Sequence, residues 1–116
     1  MPGLPSNHVL AILRLKQWTN DRTLLNRGHS TNLRRVGWVE RRQSQQDARI
    51  VRVLAFEKAF AKLPLMEQLA LAALYRDGQS HATVAATIGC SPRKVEYLLP
   101  IAREHLAEIL DRHDLL

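Results

Sequence analysis

At 116 residues the chain is long enough for one well-developed core and too short for two. Aromatics make up only 5%, Ala, Leu, Arg and Gln are plentiful, and strand formers nowhere gather into alternating runs, so the predicted class is all-α. A single cysteine, Cys90, excludes an intramolecular disulfide. No signal-peptide pattern and no apolar run near the ~20 residues of a membrane-crossing helix are found, so the expectation is a cytoplasmic protein with no membrane partner.

The net charge of +6 is unevenly carried. Residues 1–55 hold ten Lys or Arg against Asp21, Glu40 and Asp47, a balance of +7, whereas residues 56–116 hold seven against eight. Thirteen of the seventeen basic residues are Arg, the side chain suited to bidentate phosphate contact, which makes a polyanionic partner such as nucleic acid a reasonable first guess. Solvation of an ordinary surface explains the same balance equally well.

In chain order, Ser6 caps a first predicted helix from about Asn7 to Trp18, and a short second one runs from about Asp21 to Arg27, ended by Gly28. Ser30 starts a third, to about Arg42, on which Arg34, Trp38, Arg41 and Arg42 share a face beside Arg35, with a turn as the alternative because Gly37 weakens a helix by roughly 1 kcal/mol. Basic residues around an aromatic suit a phosphate backbone, although Trp more often serves as a core or contact residue. Residues 43–47, QSQQD, read as a linker in which Ser44 and Asp47 resemble a capping box. The helix that follows, to about Lys62, carries Ile50, Val53, Phe56, Phe60 and Leu63 as an amphipathic stripe, and Pro64 ends it.

Leu65 to Arg76 is apolar nearly all round, which predicts the most buried helix. From Gly78 the pattern tightens. Ser80 caps a short helix from His81 to Ile88, Gly89 stops it, Ser91 caps the next helix and Pro92 fits its first position. Val95, Leu99, Ala102 and Leu106 follow at spacings of four, three and four, one helical face. A short helix, a three-residue turn with Gly and a longer helix define a helix-turn-helix. Pro100, inside the second helix, is expected to kink or break it, at a cost of about 3 kcal/mol.

With FEKAFAKLP, RDGQS, VAATIGCSPRKV and LLPIAREHL in this order, residues from about Val53 to Leu110 resemble region 4 of bacterial sigma-70-type transcription initiation factors. The resemblance implies an all-α helical bundle with a C-terminal helix-turn-helix, whose last helix enters the major groove while other surfaces meet RNA polymerase. On the matching positions Pro92, Arg93, Glu96 and Tyr97 would face base edges, with Ser91 and Lys94 nearer the phosphates. The family's recognition helix is usually basic through its middle, whereas this one has Glu96, Leu98 and Ile101 there, so phosphate grip would fall to the N-terminal arginines. Nothing in residues 1–52 resembles the promoter-opening domain of a complete sigma factor. Small phage or plasmid regulators join similar modules to unrelated additions.

The expected organisation is a basic N-terminal helical arm or cover, residues 1–47, followed by the helix-turn-helix domain, residues 48–116. Its expected function is DNA-binding transcription regulation. The alternative is a protein-interaction module that docks on RNA polymerase, a sigma factor or a second copy of itself through Leu98 and Ile101. His105 and His113 are eight apart and His81 and Cys90 nine, unlike the paired short spacings of a zinc site. Without a glycine-rich phosphate loop, nucleophile elbow or paired carboxylates, no enzyme activity, cofactor or metal is expected.

Overall fold

The stripe Val95, Leu99, Ala102 and Leu106, extended by Leu110, is the buried spine of an all-α helical bundle. In the computed structural model residues 6–27 and 36–116 are described. They form α1 (Ser6–Arg27), α2 (Val36–Phe60), α3 (Leu65–Leu71, prolonged by a π-helical turn, Ala72–Arg76), α4 (His81–Ile88) and α5 (Pro92–Arg112). Helices α1 to α4 all contact α5.

The N-terminal half differs from its expected segmentation. Instead of two helices, residues 6–27 form one, because the polar residues near the expected break are satisfied within it. Thr19 and Thr23 donate their hydroxyls to the carbonyls of Leu15 and Thr19, at 3.1 and 2.9 Å. Asp21, read as a helix start, is a buried carboxylate that accepts two hydrogen bonds from Arg52, each 3.1 Å. Helix α2 likewise runs unbroken through residues 43–47: Ser44 and Asp47 lie inside it and start nothing. Gln is a good helix former, and the polar run leaves no reason for a break. The expected start at Ser30 lies outside the described residues.

One core joins the two halves. Ala11, Leu15 and Trp18 of α1 and Val53, Phe56, Ala59 and Phe60 of α2 are buried in the same cluster as the α5 spine. Trp18 stacks on Phe56 at 5.3 Å between centroids and lies 5.5 Å from Phe60, distances at which aromatic pairs attract beyond their area burial. Arg76 covers the Trp18 ring at 5.9 Å. Its guanidinium also donates two hydrogen bonds to Asp77, which hold that carboxyl below the usual carboxylate range. Ile50 departs from its expected core position: it is 41% exposed, rotated off the side of α2 that carries Phe56 and Phe60.

After α2 the chain turns through residues 61–64. Gln68 donates to the carbonyls of Leu63 and Ala61, at 2.7 and 3.2 Å, and so serves two of the carbonyls that a helix end leaves open. Helix α3 is less buried than its composition suggests, since Leu65, Met66 and Leu69 are exposed while Ala70, Leu71, Ala72 and Ala73 face the core. A seven-residue helix against α4 and α5 has neighbours on one side only. Glu67 is buried beside them, its Oε1 2.7 Å from Nδ1 of His105 on α5.

Pro100 does not break α5, which continues to Arg112. The proline is exposed, so water can serve the carbonyl that loses its intrahelical donor, and buried residues on both sides of it anchor the helix to the core. No helix among the described residues is long and apolar enough to cross a membrane.

Trp18→Ala should destabilise the chain by about 3–5 kcal/mol, the range for deleting a large buried aromatic. Urea unfolding followed by circular dichroism measures this, and loss of less than about 1 kcal/mol would separate α1 from the core.

Candidate nucleic-acid interface

The connection from α4 to α5 is built by backbone requirements that few residues meet. Ser80 caps α4 by accepting a hydrogen bond from the Thr83 N–H, 3.2 Å. Gly89 ends it at φ 76°, ψ 38°, the left-handed conformation, and the Cys90 N–H closes the turn on the Ala85 carbonyl at 2.9 Å. Ser91 then caps α5 through the Lys94 N–H at 3.2 Å, with Pro92 in the first turn. Cys90 is half-buried and packs against the core. These bonds fix where α5 begins and which side of it faces out.

Val95 and Leu99 point into the core, and this orientation exposes Ser91, Pro92, Arg93, Lys94, Glu96 and Tyr97 together at the start of α5. Tyr97 is 68% exposed, and nothing described in the chain covers its ring. Arg93 and Lys94 add two positive charges where the helix dipole is also positive, so anions are attracted to this end. Helix α4 carries no Lys or Arg. Its neighbouring polar groups satisfy one another: Thr87 donates to the Thr83 carbonyl at 2.9 Å and stands 3.2 Å from Gln79.

Beyond Tyr97 the outer face of α5 changes sign. Ile101 is 47% exposed and is followed by exposed Glu104 and Glu108, while Arg103 turns inward to the Tyr75 hydroxyl at 3.2 Å. Leu98 is half-buried against the core, so of the two apolar candidates Ile101 is the one presented outward.

None of the N-terminal candidates has a described side chain. Arg34 and Arg35 lie outside the described residues. Arg41 and Arg42 fall on the first half of α2, where only the backbone is described. Three other arginines of the basic half are paired within the chain: Arg52 and Arg49 reach Asp21 at 3.1 and 4.0 Å, and Arg22 reaches Glu57 at 3.5 Å. Sequence reasoning missed this, because Asp21 resembles a helix cap and its partners are 28 and 31 residues away. Among the described residues no cluster of three or more metal-ligating side chains occurs.

Comparison of the chain with protein-family models, with curated proteins and with solved structures finds no match.

Gly89→Ala isolates the backbone requirement of the turn, because a Cβ there would meet nothing within 4 Å. The expected loss is about 1–2 kcal/mol, from left-handed conformation alone. A melting temperature within about a degree of the parent would show that Ala is accommodated by a changed turn.

Proposed function

We propose that this chain is a DNA-binding transcription regulator of the sigma-70 region 4-like helix-turn-helix class. The observation that carries the reading is the shared exposure of Arg93, Lys94 and Tyr97 at the capped start of α5, after a tight turn from a short helix. A helix N-terminus presented in this way suits insertion into a major groove. Arg93 can donate two hydrogen bonds to a guanine edge and Glu96 can accept from a cytosine amino group. Lys94 and the backbone N–H groups near Ser91 serve phosphates.

Charge limits the strength of this contact. Two cations stand at the start of α5, and the exposed charges that follow them up to Asp111 are acidic, so a single chain would neutralise few phosphates. Arg41 and Arg42 of the basic half are the natural supplement.

Fluorescence anisotropy against duplex DNA at two salt concentrations tests the proposal. Binding is expected at low salt. Arg93→Ala with Lys94→Ala should weaken it on every sequence and lower the salt slope by about 1 for each phosphate no longer neutralised. Absence of binding at low salt, or binding indifferent to this double variant, would overturn the mechanism.

The run Ile101, Glu104 and Glu108 favours a second use of the same helix, contact with a protein such as RNA polymerase or a sigma factor. Under that reading Ile101→Glu lowers partner recovery in a pull-down and leaves the DNA titration unchanged. Equal recovery with the variant removes the α5 face from consideration.

A further inference from the structure

The outer side of α2 carries a pattern that neither the core nor the α5 surface uses. Val53, Phe56 and Phe60 face inward. On the opposite side Asp47, Val51, Leu54 and Lys58 follow at spacings of four, three and four, the interval of a two-helix seam. Val51 is 66% exposed and Leu54 60%, with Ile50 beside them and only small residues, Ala48 and Ala55, on their other flank. No described part of the chain covers this stripe. Asp47 and Lys58 are exposed at its two ends, and neither has an ion-pair partner among the described residues.

The order of these residues is acidic, apolar, apolar, basic, which is self-complementary when the two helices run antiparallel, about a two-fold axis perpendicular to them, and not when they run parallel in register. We infer that the chain forms a homodimer in which α2 packs antiparallel on α2 of a second copy. With the axis between Val51 and Leu54, Val51 of each chain meets the partner's Leu54, Ile50 meets the partner's Ala55, and Asp47 meets the partner's Lys58. A parallel pairing would set Asp47 against Asp47 and Lys58 against Lys58, and like charges in register disfavour it relative to the antiparallel one. The interface is isologous and closes at two copies. From Asp47 to Lys58 the stripe is about 17 Å long at the helical rise of ~1.5 Å per residue, shorter than a standard interface needs, so the dimer is weak and depends on concentration. It uses no residue of α5 and stands independently of the DNA reading.

Sedimentation velocity of the full chain over a micromolar to millimolar series tests the inference. A reversible monomer–dimer equilibrium is expected. Val51→Glu and Leu54→Glu should each weaken it at least about tenfold, because each buries a carboxylate twice across the axis. Asp47→Lys alone and Lys58→Glu alone should also weaken it, whereas the two together restore it by exchanging the charges. All four positions are solvent-exposed in the monomer, so unchanged helix content by circular dichroism separates these effects from misfolding. The inference is overturned by a chain that stays monomeric throughout or by a dimer indifferent to Val51→Glu. It is equally overturned by a charge exchange that fails to restore association, or by loss of the dimer on Ile101→Glu instead.

Discussion

The buried stripe of α5 sets the position of everything around it. Val95, Leu99, Ala102, Leu106 and Leu110 occupy one side of a 21-residue helix, and α1 to α4 all pack against that helix. Burial of each of the Val and Leu side chains among them stabilises the fold by about 1.5–3 kcal/mol, and the sum fixes the rotation of α5 about its axis. Once that rotation is fixed, the outward residues follow without freedom: Arg93, Lys94 and Tyr97 at the start, then Ile101, Glu104 and Glu108. The same anchoring on both sides of Pro100 explains why a residue that removes a helical hydrogen bond leaves this helix continuous.

Helix α1 adds a second constraint, one that changes how the basic N-terminal half is read. Trp18 joins Phe56 and Phe60, and buried Asp21 binds Arg52 in a two-bond pair with Arg49 nearby. A carboxylate taken out of water is tolerated only with such partners, and removal of either partner would leave an uncompensated charge. These arginines hold α1 on α2, and their charge is partly answered inside the chain. The two ends of the molecule's charge pattern therefore differ in kind: α5 offers two outward cations at its start, whereas the described part of α2 commits two arginines to the fold.

Much of the C-terminal half was legible because its signals are local. Ser80, Gly89, Ser91 and Pro92 each act within a few residues of their own position, and the helices begin and end where those residues place them. Register within α5 was legible for the same reason, since a buried stripe repeats every three or four residues. The N-terminal half was misread where local signals compete with distant ones. Ser44 and Asp47 resemble a helix start but lie in the middle of α2, and Asp21 resembles a cap but pairs with residues on another helix. Ile50 continues the apolar spacing of Val53 and Phe56 yet faces out, because α1 occupies only one side of α2.

The sequence by itself determined an all-α chain, the α4–α5 turn and the face of α5 that is buried, since these depend on backbone chemistry and on helical periodicity. Only the tertiary structure decided that α1 and α2 are single helices in the same core, that Leu98 leans inward while Ile101 does not, and that Val51 and Leu54 are left outside. Those outcomes depend on which neighbour arrives on which side of each helix. Apolar residues at helical spacing state that a face seeks cover, and the packing of the other helices decides which faces receive it.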